Sequence, residues 1–128
     1  GLSYTTYDYA NLNVIKPQLK NGDSLVVEVD VTNTGQRDGV EIVQLYINDI
    51  YSSVTTPVKE LQAFSRVELA AGEIKTIRLE VPFEQLAIVD VDERYVVEAG
   101  DFEVMVGPSS RDADLLKGNF AVTESAAR

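Results

Sequence analysis

The chain contains no histidine and no cysteine among its 128 residues. Nucleophilic catalysis usually pairs a serine or a cysteine with a neighbouring base, most often histidine. The common catalytic triads are therefore excluded. The serines in residues 107–110 also lack the lysine of a phosphate-binding loop and its strand-to-helix context, so we interpret this stretch as a turn.

Carboxylates are the other side chains that could carry chemistry. Asp90, Asp92 and Glu93 lie close together and could offer oxygen ligands to a hard cation such as calcium. The stretch lacks the glycine and the distal glutamate of an EF-hand loop, so a solvated acidic turn is the simpler interpretation. Sequence spacing identifies no carboxylate pair of the kind used in glycoside hydrolysis. We predict no metal site, no cofactor and no catalytic residue in this chain.

Aromatic side chains could bind sugars by stacking on their C–H faces. The candidate tyrosines are Tyr4, Tyr7, Tyr9, Tyr46 and Tyr51. We expect Tyr51 to be the most exposed, because it lies in the longest irregular stretch, residues 48–56. Phe64, Phe102 and Phe120 lie among strand residues, and we predict that all three belong to the core.

Composition limits the partners of the chain. It has 11 basic and 21 acidic residues, for a net charge of −10. Phosphate backbones and anionic membrane surfaces need clustered lysine or arginine, so we expect neither nucleic acid nor membrane as a partner. Nothing in the composition decides between a secreted, a periplasmic and a cytoplasmic location. The chain begins at Gly1 and its single methionine is Met105, so we expect a fragment of a longer protein.

Apolar residues alternate with polar ones along most of the chain. In the run SLVVEVDVTN, Leu25, Val27 and Val29 share one face, which is typical of a half-buried antiparallel strand. Similar runs predict about eight short strands, separated by turns that contain glycine or asparagine. Residues 82–86 alone suggest a helical turn, with Pro82 at its start. This pattern predicts an all-β, immunoglobulin-like antiparallel sandwich of about 7–8 strands, similar to fibronectin type III domains.

One predicted strand, GVEIVQLYIND, is apolar on both faces. If Val43, Leu45 and Ile47 point into the sandwich, the opposite face carries Ile42, Gln44 and Tyr46. Such a face is too apolar for free contact with water, so it could be a docking surface. A second buried layer within the same domain is the alternative.

The resemblance to a known family rests on four ordered blocks that cover nearly the whole chain: GLSYTTYDY, VTNTGQRDGVEIVQLYIND, VTTPVKELQAFSRVELAAGE and YVVEAGDFEVMVGPSSRD. They resemble the C-terminal fibronectin type III-like domain of family 3 glycoside hydrolases, the β-glucosidases and β-xylosidases. In that family the first block closes an α/β domain. The resemblance therefore implies that residues 1–9 are a junction from a preceding domain and that residues 10–128 form the sandwich.

The resemblance also implies a role. The parent enzymes are retaining hydrolases of terminal β-linked sugars, whose catalytic residues lie in upstream domains, so none is carried over to this chain. We expect a non-catalytic accessory domain that packs on those domains, stabilises them and shapes the rim of the active site, where a β-linked oligosaccharide would lie. The expected interdomain contacts are Gln44, Tyr46, Tyr51, Pro57, Lys59 and Glu60. The alternatives are an independent carbohydrate-binding module and a spacer without a ligand.

Overall fold

A computed structural model of the protein describes residues 6–49, 59–86, 88–89, 95–97, 99–124 and 126–127. Its eight longer strands are β1 (Tyr7–Val14), β3 (Leu25–Asn33), β4 (Gly39–Asp49), β5 (Glu60–Leu69), β6 (Ile74–Val81), β8 (Tyr95–Val97), β9 (Gly100–Gly107) and β10 (Leu116–Val122). Three strands of two residues each are β2 (Gln18–Leu19), β7 (Ile88–Val89) and β11 (Ala126–Ala127). Short 3-10 helices span Phe83–Leu86 and Asp112–Asp114. The predicted all-β sandwich is confirmed.

The strands form two facing sheets and a small third one. The first sheet has the order β1-β3-β6 and the second β2-β10-β9-β4-β5, while β11, β8 and β7 form the third. Strand pairs are antiparallel except that β2 pairs with β10 in parallel. In the described part of the chain, β5 is therefore an edge strand of the second sheet.

The core lies between the two larger sheets and follows from the period-two alternation of their strands. Every second residue of β3 from Leu25 to Val31 is fully buried, as the sequence predicts. Across the core, Phe102 of β9 and Phe120 of β10 are buried and stack with ring centroids 5.1 Å apart. The core positions predicted for these two phenylalanines are confirmed. The 3-10 helix at Phe83–Leu86 adds Phe83 and Leu86 to the same core.

A buried asparagine fixes the turn after β3. The Asn33 side chain is fully buried, and its Nδ2 donates to the carbonyl oxygens of Arg37 at 2.8 Å and Leu69 at 3.1 Å. Its Oδ1 accepts from the Gly35 amide at 2.9 Å. The backbone of Asn33 also pairs with Gly72 and Glu73, in a turn where Gly72 has a φ of 78° that favours glycine. The Asn33 side chain therefore ties β3 to the end of β5 and to the turn after β3, and the Asn33 backbone adds the turn between β5 and β6.

The first strand includes residues that we assigned to the junction. Tyr7, Asp8 and Tyr9 pair with Asn33, Thr32 and Val31 of β3, and both tyrosines pack partly against the core. These three residues are thus an integral part of the sandwich, because their alternation continues that of Leu12 and Val14 across a bulge. Residues 1–5, including Tyr4, lie outside the described residues. The assignment of a junction there stays a prediction.

Candidate functional site

The outer face of the second sheet is the face for which the sequence left open a docking surface or a second buried layer. Val43, Leu45 and Ile47 of β4 are buried in the core, which confirms the predicted orientation of this strand. The alternate residues Val40, Ile42, Gln44 and Tyr46 therefore face outward. At Tyr46 this face is buried within the domain, whereas Val40 and Ile42 are exposed, and the docking surface stays a prediction.

Tyr46 belongs to a second, small apolar cluster inside the domain. Its ring is only 9% exposed and clusters with Met105 of β9 and with Leu115. The Tyr46 hydroxyl donates to Oε1 of Gln44, and Nε2 of Gln44 donates to the carbonyl of Pro108 at 3.1 Å. Polar atoms of both predicted contact residues are thus engaged within the domain, and the side-chain conformations are fixed by these bonds.

Phe64 is the residue that the sequence analysis placed wrongly. We predicted a core position, but Phe64 is 66% exposed on the outer face of β5, opposite Gln44 of β4. The reason is the alternation of β5: Val67 and Leu69 are buried, so the even-numbered residues before them point outward. That signal is present in the sequence and would have identified Phe64 as exposed.

A bulge brings one more apolar side chain to this face. The consecutive residues Leu45 and Tyr46 of β4 pair with Ala63 and Leu61 of β5, so β5 has one extra residue at this point. Leu61 thereby lies opposite Tyr46 and is 50% exposed. On β4, Ile42 is 39% exposed and Val40 45%. We call the set of Val40, Ile42, Leu61 and Phe64 the β4–β5 patch.

The structure describes four of the six predicted interdomain contacts. Gln44 and Tyr46 lie on β4, half-buried Lys59 directly precedes β5, and exposed Glu60 begins β5 opposite Ile47. Tyr51 and Pro57 lie outside the described residues, as do residues 50–56 of the predicted long loop. Tyr46, Lys59 and Glu60 therefore lie near the end of β4 and the start of β5, whereas Gln44 lies midway along β4.

A shallow depression adjoins the β4–β5 patch at Val40, and three of the polar side chains that line it make hydrogen bonds to the neighbouring backbone. It has a volume of about 430 Å³, and its lining includes Asp38, Glu73 and Lys75. Asp38 accepts from the Ala71 amide at 3.0 Å, and Glu73 accepts from the Ala70 amide at 2.8 Å. Lys75 donates to the Glu68 carbonyl at 2.7 Å. These side chains stabilise the turn between β5 and β6.

Metal binding has no geometric support in the described part of the chain. No group of three histidine, cysteine, aspartate or glutamate residues there could hold an ion. The predicted acidic turn with Asp90, Asp92 and Glu93 lies outside the described residues.

No helix within the described ranges combines the length and the apolar character needed to cross a bilayer.

Comparison with known proteins gives the family. The sequence model of the fibronectin type III-like domain matches residues 41–110, which run from β4 through β9 and include the whole β4–β5 patch except Val40. The chain belongs to the fibronectin type III-like domain family. The resemblance recognised in the sequence is thereby confirmed, since the relatives of this fibronectin type III-like domain are β-glucosidases and β-xylosidases of glycoside hydrolase family 3.

Those relatives are much longer than this fibronectin type III-like domain. A β-xylosidase of Formosa agariphila is 41% identical over 90% of this chain but only 16% of its own length. A putative β-glucosidase of Schizosaccharomyces pombe is 40% identical over 98% of this chain and 15% of its own. The chain thus spans about one sixth of the curated relatives it matches.

Solved structures also match this chain over only a small part of their own length. A β-glucosidase involved in saponin metabolism from intestinal bacteria superposes with a TM-score of 0.89 and 43% identity, over 96% of this chain and 17% of that one. β-Glucosidase 3B from Thermotoga neapolitana, in complex with α-D-glucose, gives a TM-score of 0.86 and 42% identity, over all of this chain and 17% of that one. The fibronectin type III-like domain is therefore a small part of each of these enzymes.

Proposed function

We propose that this fibronectin type III-like domain is a non-catalytic accessory domain of a family 3 β-glucosidase-like enzyme, where it packs on the catalytic domains and stabilises them. The observation that carries the proposal is the match of nearly the whole chain to about one sixth of β-glucosidases and β-xylosidases. The β4–β5 patch supports the proposal, because clusters of exposed apolar side chains commonly mark interaction surfaces.

The proposal extends to the rim of the active site. Residues 48–56 and the PVKEL block that follows them are the segment that we expect to reach the catalytic domains, through Tyr51, Pro57, Lys59 and Glu60. The described ends of this segment, Asn48 on β4 and Lys59 before β5, lie at one end of the second sheet. A loop at the end of a rigid sandwich is a common place for residues that contact a substrate.

Two measurements test the proposed function. The isolated 128-residue chain should show no turnover of aryl β-glucosides or aryl β-xylosides. The complete polypeptide without this domain should unfold at a lower temperature and yield less active enzyme than the intact one, because the catalytic domains lose a packing partner. Turnover by the pure chain, or a deletion that leaves the catalytic domains equally stable, would contradict the proposal.

One observation favours a second candidate, an independent carbohydrate-binding module. The Phe64 ring lies two-thirds exposed on a sheet face, where an aromatic ring could stack on a sugar. Retention of the chain on cellulose or xylan that is lost on Phe64→Ala would favour this candidate. We expect no retention, because the other described aromatic of this face, Tyr46, is buried and contributes no second stacking platform.

A further inference from the structure

The two sheets present different outer faces. On the first sheet, Asp30 accepts from Thr76 at 2.7 Å and from Asn11 at 2.9 Å, so a polar ladder crosses all three strands. On the second sheet, the β4–β5 patch places apolar side chains at outward positions, while Arg66 and Glu68 form an exposed ion pair at 3.2 Å opposite Ile42 and Val40. A face that is solvated needs polar groups, whereas a contiguous apolar face marks an interaction surface. Exposed Ile74 lies at the start of β6 on the first sheet, whereas exposed Leu61 and Phe64 are neighbours on the outer face of β5, and it is this pair that we expect to be covered.

Phe64 is suited to be the anchor of such a contact. Aromatic side chains supply large contact areas, and contact residues with the greatest energetic effect are enriched in aromatics near the centre of an interface. Phe64 lies opposite Gln44, with exposed Leu61 beside it on β5 and exposed Ile42 diagonal to it on β4. The hydrogen bonds from Tyr46 to Gln44 and from Gln44 to Pro108 hold the adjoining surface in one conformation. A preformed surface of this kind loses little conformational entropy on binding.

The edge position of β5 supports the same conclusion. In the described residues no strand pairs with β5 on the side away from β4, and such edges are usually shielded. The Gln85 amide shields one point of β5, donating to the Gln62 carbonyl at 3.0 Å. Beyond that bond, the exposed apolar residues Leu61 and Phe64 lie on this edge strand. The free edge of β5 and the β4–β5 patch together form a surface that a neighbouring domain would cover.

The lengths of the relatives indicate which partner would cover this surface. The chain covers 15–17% of its relatives, so a large part of each relative is available to contact the domain. We infer that the β4–β5 patch binds the catalytic portion of the same polypeptide, with Phe64 inserted into an apolar site of that portion. This inference rests on the proposed function. It moves the centre of the contact from Gln44 and Tyr46 to Phe64, Leu61 and Ile42.

The test uses the complete polypeptide with Phe64→Ser and, as a matched control, Ile74→Ser. Ile74 is 59% exposed on β6 of the first sheet, so the control removes a similarly exposed apolar side chain from the opposite face. Phe64→Ser should lower the first thermal transition by about 2–4 °C and Ile74→Ser should leave it unchanged. Hydrogen exchange should show faster exchange in β5 and unchanged exchange in β3, which reports that the sandwich itself stays folded.

Each outcome separates the inference from the proposed function. Equal transitions for the two variants would overturn the inference, and the proposed function would still hold if deletion of the domain destabilised the catalytic portion. Faster exchange in β3 of the Phe64→Ser polypeptide would also overturn it, because Phe64 would then stabilise the sandwich itself. Loss of a dimer, or loss of binding to cellulose or xylan, on Phe64→Ser with an unchanged transition would assign the patch to a second copy or to carbohydrate instead.

Discussion

The hydroxyl of Tyr9 on β1 donates a 2.9 Å hydrogen bond to Oε2 of Glu41 on β4, and this bond links the two sheets of the sandwich. Burial and the adjacent Glu41 carboxylate raise the pKa of Tyr9 well above its ordinary value of 10.0. The folded state therefore favours the neutral phenol. Because the unfolded chain loses this proton near pH 10, the stabilisation is complete below that pH and is lost as the pH rises further.

Tyr9→Phe tests this link. Removing the donor leaves Glu41 without this partner and should lower the free energy of unfolding by about 1 kcal/mol at pH 7. The stability of the variant should also fall less steeply than that of the wild type above pH 10. Urea denaturation of the two chains at pH 7 and at pH 10.5 would check both statements, and parallel losses in the two chains would show that Tyr9 does not titrate as described.

Asn33 should be among the most sensitive positions of the sandwich. Asn33→Ala leaves the carbonyls of Arg37 and Leu69 and the amide of Gly35 without their side-chain partner. We expect a loss of about 2–4 kcal/mol in the free energy of unfolding, measured by urea denaturation. Asn33→Asp is the informative companion: it places a carboxylate against two carbonyl oxygens, so its destabilisation should be larger at pH 7 than at pH 4.

Gly107→Ala should loosen the support of Tyr46. A Cβ at Gly107 would lie 2.6 Å from the Asp114 carbonyl oxygen and 3.0 Å from Cδ2 of Leu115. The backbone must move, at a cost of about 1–3 kcal/mol in stability. At the control position Gly118 the nearest atom is Cγ2 of Val14, at 3.2 Å, which can shift more easily. A larger thermal shift for Gly118→Ala than for Gly107→Ala would contradict this account.

Charge reversal at Lys59 tests the edge of the proposed interdomain contact. Lys59→Glu should lower the stability of the complete polypeptide more than that of the isolated chain, because interdomain interfaces commonly have polar rims. Arg78→Glu, on the exposed outer face of β6, should affect the two forms alike. Thermal denaturation of both forms gives the comparison. Equal effects of Lys59→Glu would mean that Lys59 acts within the sandwich.

Most of the architecture could be predicted from the sequence, because alternation in β3 and β6 leaves one buried face for each strand. The contacts of the candidate site could be predicted only in part. Counting in steps of two from buried Val67 and Leu69 would have placed Phe64 outside, but its aromatic character suggested the core. The bulge that turns Leu61 outward depends on the pairing of β5 with β4, which no local pattern in β5 specifies.

Side-chain burial explains why Tyr46 was ambiguous. On β4 its position faces away from the core, yet Met105 and Leu115 cover it. Leu115 reaches this cluster from the connection between β9 and β10, which follows Gly107, the last residue of β9, and contains the short 3-10 helix at Asp112–Asp114. The close approach of that connection to β9 is a tertiary feature, and the sequence contains only the glycine that permits it.

The most direct measurement of the central claim is hydroxyl-radical labelling of Phe64 and Ile74, quantified by mass spectrometry in the isolated chain and in the complete polypeptide. Both side chains are exposed in the domain alone and lie on opposite sheets. We predict that Phe64 is labelled several-fold less in the complete polypeptide while Ile74 is labelled equally in both forms. Equal labelling of Phe64 in the two forms would contradict the docking of this domain through its β4–β5 patch.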